Sequence, residues 1–352
     1  MPIVDCDIHP MMTRPEDAFG YLDRGWQEYF SRQEFKISGR APERYATPKT
    51  PLRADATPPS GGLPASDPAF VVTNLLDAWD VERGLLIPMQ GLAIAAWTDP
   101  SAALAWAGAA NDYFYEHWLS LDDRFTLAIT VAPHDPTGSV AEIERWAGKP
   151  GIVAVQLPLL NILMGNRHYY PIYAAAVEAG LPIVVHQTGA EGCYLGTPAV
   201  AGGVPRTYAE RHAMLTQIGQ SNVASLIFEG VFERFPTLRM AFVEYGFSWL
   251  LPLLWRMDRE WKNFRAATPW VKEPPDHYVR NHMRFATQPL DEPGKISDLW
   301  KLIEMLGGDE LLIFSSDYPH YDNDDPGVIM KKLPEAARER IGRDNALEFF
   351  PF

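Results

Sequence analysis

Three apolar, β-prone runs finish in residues able to bind a metal. Asp5-Cys6-Asp7-Ile8-His9 lies near the start of the chain, Ile183-Val184-Val185-His186 at its middle, and Ile313-Phe314-Ser315-Ser316-Asp317 near its end. Side chains alternate along a strand, so Asp7 and His9 fall on one side of theirs and Cys6 on the other. Two imidazoles and two carboxylates meeting at one point make a hard-to-borderline divalent site, suited to one Zn²⁺ first and Mn²⁺ second. Function therefore turns on whether the fold brings Asp7, His9, His186 and Asp317 together.

Eight strand candidates can be read in order: Ile3–Ile8, Gly84–Pro88, Phe125–Val131, Ile152–Leu157, Leu181–His186, Met240–Val243, Met283–Thr287 and Leu311–Ser316. Most are continuous apolar runs, the pattern of parallel strands buried on both faces. Helical stretches fall between them, at Thr73–Asp80, Ser101–Ser120, Val140–Ala147, Pro171–Ala179, Ser221–Phe235, Trp249–Phe264 and Ser297–Leu306. Repeated strand–helix alternation predicts an α/β chain folded as a single (β/α)₈ TIM barrel over residues 1–352. Residues 10–68 and 187–220 are too long for connectors. Both follow strand C-termini, the face on which barrel active sites sit. The first reads as a lid or insertion carrying Arg14, Arg40 and Arg53 toward an anionic substrate, the second as a pocket loop. Dimer contacts are the competing use of either segment.

Composition narrows the partners. The chain has 352 residues, 47% apolar, with 31 basic against 45 acidic residues and a formal charge of −14. That balance excludes nucleic acid and anionic membranes as expected partners and leaves a small-molecule substrate. Only Cys6 and Cys193 occur, which is no disulfide framework and fits a reducing cytoplasm. Cys6 reads as core packing. No basic leader and no long apolar stretch is present, so neither a signal peptide nor a membrane span is expected.

In a barrel, Asp7, His9, His186 and Asp317 all stand at C-terminal strand ends, from strands one, five and eight. Strands one and eight are neighbours once the barrel closes, and His186 reaches across the mouth. The chain also resembles the amidohydrolase superfamily, in particular the branch that holds aminocarboxymuconate-semialdehyde decarboxylase and the resorcylate-type decarboxylases. Val4-Asp5-Cys6-Asp7-Ile8-His9-Pro10, Pro182-Ile183-Val184-Val185-His186 and Phe314-Ser315-Ser316-Asp317-Tyr318-Pro319-His320 carry the resemblance, which extends over essentially the whole chain. It implies Asp7, His9, His186 and Asp317 as metal ligands, with Asp7 in place of the first histidine of the family's His-x-His. Asp317 is also a candidate catalytic residue.

One departure stands out. The family usually ends strand six with a catalytic His before Gly, whereas this chain reads Val243-Glu244-Tyr245-Gly246. Glu244 can serve as a general base, join the metal, or pair with an arginine. Strand four ends Val155-Gln156-Leu157 without the lysine that bridges two metals in binuclear relatives, so a mononuclear site is expected. His320, Gln156, Trp249 and Gln288 are further candidates for substrate contact. His134 is a candidate for the rim and Arg256 for a carboxylate partner. The run Tyr321-Asp322-Asn323-Asp324-Asp325 lacks the Gly and closing Glu of a calcium loop and reads as a solvated or helix-capping loop.

These features predict a metal-dependent enzyme. Non-oxidative decarboxylation of a small cyclic or aromatic carboxylic acid is the first expectation, tilted by the resemblance. The alternative is hydrolysis of an amide, ester, lactone or C–C bond by a metal-activated water, which Glu244 favours. A third reading, from another class, is a barrel that only binds its ligand. A homodimer is expected.

Overall fold

The protein is described by a computed structural model covering residues 1–32, 52–187, 205–322 and 324–352. Its centre is an eight-stranded parallel sheet in which sequential strands are neighbours. The strands are β1 (Ile3–Ile8), β2 (Val81–Leu86), β3 (Phe125–Thr130), β4 (Ile152–Gln156), β5 (Ile183–His186), β6 (Met240–Val243), β7 (Met283–Ala286) and β8 (Leu312–Ile313). Helices fill the intervals and surround the sheet, giving the expected (β/α)₈ architecture.

Two layers of apolar packing hold it together. Small residues from every strand, among them Val4, Leu85, Ala128, Ala154, Val184 and Ala241, form the barrel interior. Phe349 and Phe350 of the chain's end join that interior cluster and close the floor. A larger cluster, rich in Trp and Phe, packs the outward strand faces against the helices.

Several element boundaries differ from the sequence reading for local reasons. The helix expected at Val140 begins at Pro136, because Asp135 caps it with a 2.9 Å bond from Gly138 N and Pro136 fills the first turn. The helix expected over Ser221–Phe235 runs Thr216–Phe228 instead. It stops before Gly230, whose φ of +73° ends the right-handed path, and resumes as Val231–Arg234. Strand β2 starts three residues early because Val81 and Arg83 pair with Ile3 and Val4 in the ladder, with a register shift at Glu82 between them.

Strand β8 is only two residues long, and the seam to β1 is made beyond it. Cys6 N donates to the Phe314 carbonyl (3.0 Å), Asp317 N to the Asp7 carbonyl (3.1 Å) and His9 N to the Tyr318 carbonyl (2.7 Å). The β1 register shifts between Asp5 and Ile8, which breaks strict alternation. Cys6 packs with the interior cluster rather than on the face opposite the ligands. It is buried, as expected of a packing residue.

The two long segments carry structure of their own. Within 10–68, a helix spans Arg24–Arg32, Leu52 bridges His320, and Arg53 N donates to the Pro319 carbonyl, so this part of the chain lies against the β8 loop. Arg40 lies outside the described residues. Within 187–220, residues 205–220 include the helix Tyr208–Met214 and the start of Thr216–Phe228. No helix among the described residues is long and apolar enough to cross a membrane.

Candidate active site

The fold brings Asp7, His9, His186 and Asp317 together, with one potential ligand atom from each lying within 4.8 Å of all the others. All four are buried. His9 Nε2 is 3.2 Å from Asp7 Oδ1 and 3.1 Å from Asp317 Oδ1. His186 Nε2 is 3.7 Å from Asp7 Oδ2, and the two imidazoles meet edge to face at 4.9 Å. The far nitrogens fix the near ones. His9 Nδ1 donates to the Ile87 carbonyl at 2.8 Å and His186 Nδ1 to the Gln187 carbonyl, so each Nε2 presents its lone pair to the cluster.

These residues fit a divalent cation. Asp7 Oδ1 and Oδ2, His9 Nε2 and His186 Nε2 are buried without any hydrogen-bond partner. Buried polar atoms are rarely left so, and two carboxylates facing two imidazoles satisfy one another best around a metal. Strand β4 ends in Gln156, not lysine, in keeping with a single metal position.

Glu244 and Asp317 share a backbone peculiarity. Both are non-glycine residues in the left-handed region, with φ of +64° and +62°. Such strain persists where surrounding structure over-determines it, and it concentrates at functional sites. It turns Glu244, just past β6, toward the cluster, with Oε2 3.0 Å from His186 Nε2. Burial alone would raise Glu244, but His186 and other nearby imidazoles draw it below the ordinary carboxylate range. Burial likewise opposes charge on His186, yet Asp7 and Glu244 lift it well above the usual imidazole value. The cluster thus has a strong demand for positive charge.

The remaining candidates divide. His320 Nδ1 donates to Asp317 Oδ1 at 2.5 Å, and Gln288 Nε2 donates to Asp317 Oδ2 at 2.9 Å. Burial works against a charged His320, but Asp317 outweighs it and raises the imidazole to about 9. Gln156 is buried one shell lower, accepting from Thr130 Oγ1 at 2.7 Å. Trp249 sits in the layer between barrel and helices, its indole N–H donating to the Tyr245 and Gly246 carbonyls. His134 donates from Nε2 to the Ala95 carbonyl, and burial lowers its pKa. Arg256 is exposed on the helix Leu250–Asn263. Arg14 pairs with Asp17 on the surface, and Arg53 pairs with Asp55. Asp325 caps the helix Pro326–Lys332 through Gly327 N, as the acidic run suggested.

Three residues reach this region without having been singled out in the sequence. Gln187 Nε2 donates to Glu244 Oε2 at 2.9 Å, and Arg211 Nη2 donates to Gln187 Oε1 at 2.6 Å. His212 Nε2 lies 3.4 Å from Asp322 Oδ2 and 3.8 Å from Glu244 Oε1. Arg211 and His212 stand on the helix Tyr208–Met214, whose start is a Thr207/Glu210 capping box. That T-x-x-E pattern was the available sequence signal for a helix inside the long segment.

Comparison with known proteins places this architecture. The family profile described as amidohydrolase matches residues 4–352. A 2-keto-4-carboxy-3-hexenedioate hydratase of Sphingobium sp. strain SYK-6 is 24% identical over 273 residues, covering 72% of this chain and 73% of the hydratase. Among solved structures, an amidohydrolase of Mycobacterium avium subsp. paratuberculosis K-10 superposes with a TM-score of 0.70 at 21% identity, over 99% of this chain and 98% of that one. A 5-carboxyvanillate decarboxylase of Novosphingobium aromaticivorans, complexed with manganese and 4-hydroxy-3-methoxy-5-nitrobenzoic acid, superposes with a TM-score of 0.69 at 17% identity, over 99% and 95%.

Proposed function

The chain belongs to the amidohydrolase family, and on that premise we propose that it is a metal-dependent lyase that decarboxylates a small cyclic or aromatic acid without oxidation. The observation that carries this reading is the Asp317–His320 pair beside a single four-residue metal position. Decarboxylation needs a proton delivered to carbon, and His320 Nδ1, donating to Asp317 Oδ1, sets a proton-bearing imidazole beside the metal position.

Asp7, His9, His186 and Asp317 would hold one Zn²⁺ or Mn²⁺. The ion would supply charge neutralisation for the substrate carboxylate and a neighbouring oxygen. Gln288 fixes Asp317 Oδ2, which leaves Oδ1 to the His320 proton. Glu244, ionised at the β6 end, takes the proton of a substrate hydroxyl and makes the ring electron-rich. The His320–Asp317 pair then protonates the carbon that bears the carboxylate. The C–C bond breaks, its electron pair returns to the ring, and CO₂ leaves. The decarboxylase neighbours support this assignment.

A second reading, water addition by hydrolysis or hydration, is favoured by Glu244 standing where the family usually has histidine. The hydratase relative supports it too. Turnover in ¹⁸O-water separates the two. Decarboxylation yields CO₂ and a product shorter by one carbon, whereas water addition puts label into a retained product. A screen of aromatic and unsaturated acids that releases no CO₂, while esters, lactones, amides or double bonds take up water, overturns the first reading. We also infer a cytoplasmic homodimer, which sedimentation and fractionation would test. The segment 10–68 is proposed as a cover for the mouth, testable by proteolysis with and without a bound acid.

A further inference from the structure

We propose that Gln187 and Arg211 form a positioning pair that fixes the Glu244 carboxylate and decides which of its oxygens reacts; this rests on the reading of Glu244 as the proton-transfer group. The side-chain amide of Gln187 can donate from Nε2 and accept at Oε1, and alone it could face either way. A guanidinium only donates. Arg211 Nη2 donates to Oε1 at 2.6 Å, so Nε2 must turn toward Glu244, where it donates to Oε2 at 2.9 Å. Oε2 is also the oxygen 3.0 Å from His186 Nε2. Oε1 is left on the other side, 3.8 Å from His212 Nε2. The pair therefore assigns Oε2 to structure and Oε1 to chemistry.

Each member is itself held in place. Gln187 directly follows His186 at the end of β5 and is buried. Arg211 is 6% exposed. Its helix is anchored by Thr207 Oγ1 accepting from Glu210 N at 3.1 Å and by Glu210 Oε2 accepting from Arg206 N at 2.7 Å. The Tyr208 ring lies beneath the guanidinium at 5.9 Å. A buried guanidinium is costly unless hydrogen-bonded, so this arrangement fits a positioning device better than an incidental surface contact. It also gives a physical reason for glutamate at the end of β6. A carboxylate offers two oxygens that the pair can tell apart, and the left-handed φ of +64° at Glu244 is kept by contacts of this kind.

The test uses Gln187→Leu, Arg211→Met and Arg211→Lys in the full chain loaded with Mn²⁺. Each variant is read by crystal structure, metal content, kcat and KM. Loss of a partner in the shell behind a reacting group costs about 10–100-fold. We expect Gln187→Leu to lower kcat by that amount with KM and metal content near wild type, and its crystal structure to show the Glu244 carboxylate rotated. Arg211→Lys should recover most of what Arg211→Met loses, because an ammonium still donates to Oε1. Should Arg211→Met fail to fold, Gln187→Leu alone decides. Glu244 unmoved in Gln187→Leu overturns the proposal. A rotated Glu244 with unchanged kcat upholds the positioning role and instead removes Glu244 from the proton-transfer step.

Discussion

The two sides of the barrel mouth are built differently. On the β1–β8 side, Asp7, His9 and Asp317 are tied by main-chain bonds: Cys6 to Phe314, Asp317 to Asp7 and His9 to Tyr318. Asp5 adds a buried carboxylate that accepts from Ser316 N at 2.9 Å and Asp7 N at 3.2 Å. On the β5–β6 side, His186 pairs with Val243 in the ladder and its Nδ1 donates to the Gln187 carbonyl, but the Glu244 carboxylate, among the described residues, is approached by side chains, through Gln187, His186 and His212, with Arg211 behind Gln187. Backbone ties make the first side redundant. Side-chain relays make the second adjustable one residue at a time. Within one barrel, the seam that carries three of the four candidate metal ligands and the Glu244 carboxylate across from it are thus held by different kinds of construction.

The largest effects should come from the ligands themselves, whichever side they occupy. His9→Ala and His186→Ala are both expected to lose the metal and to lower turnover by more than about 10³-fold, since charge stabilisation goes with it. Elemental analysis of protein loaded with Mn²⁺ checks this. Full occupancy in either variant would remove that residue from the ligand set. Glu244→Gln comes next. It keeps the shape and removes the base, so kcat should fall about 10²–10⁴-fold with metal retained. If metal is lost instead, Glu244 belongs to the ligands and the division between the two sides fails.

That division also explains what the sequence made legible. Asp7, His9, His186 and Asp317 could be read because each ends an apolar run, and strand ends in a barrel share one face. The order of β1 to β8 followed from the same alternation. Gln187 and Arg211 could not be read, because their meaning lies in the geometry of one amide between a guanidinium and a carboxylate, with no periodicity to betray it. Gln156 and Trp249 were named from residue type, and sequence could not show their partners: Gln156 accepts from Thr130 Oγ1, and the Trp249 indole donates to the Tyr245 and Gly246 carbonyls. The early start of the helix at Pro136 was visible as Asp135-Pro136, which serves equally as a turn and as a capped helix start.

A smaller effect concerns Asp5. Burial raises its carboxyl to about 7, well above the value of an unfolded chain. Between roughly pH 4 and 7 the folded, metal-free protein therefore binds more protons here than the unfolded chain, and Asp5's contribution to stability falls as pH rises. Asp5→Asn keeps an acceptor for Ser316 N and carries no charge. The melting temperature of Asp5→Asn minus that of wild type, measured without metal, should increase from pH 4.5 to 7.5. A flat difference would mean that the seam does not strain this carboxylate. Adding Mn²⁺ should shrink the difference, because a nearby cation favours the ionised form.

The smallest effect is expected at Ser316, and it bears most directly on the contrast between the two sides. Its hydroxyl accepts from Tyr318 N at 3.1 Å and approaches the Asp7 carbonyl at 3.4 Å. Alanine removes both contacts while leaving the three main-chain bonds of the seam and the Asp5 contact to Ser316 N. The loss should be about 1 kcal/mol, the net worth of one ordinary hydrogen bond. With the backbone ties intact, metal content and kcat should stay near wild type. Gln187→Leu, which likewise removes one side chain's hydrogen bonds, should cost far more in turnover than in stability. Urea unfolding and steady-state kinetics on the two variants give the comparison. Equal losses of kcat would show that both sides hold their groups in the same way, and the contrast in construction across the mouth would not stand.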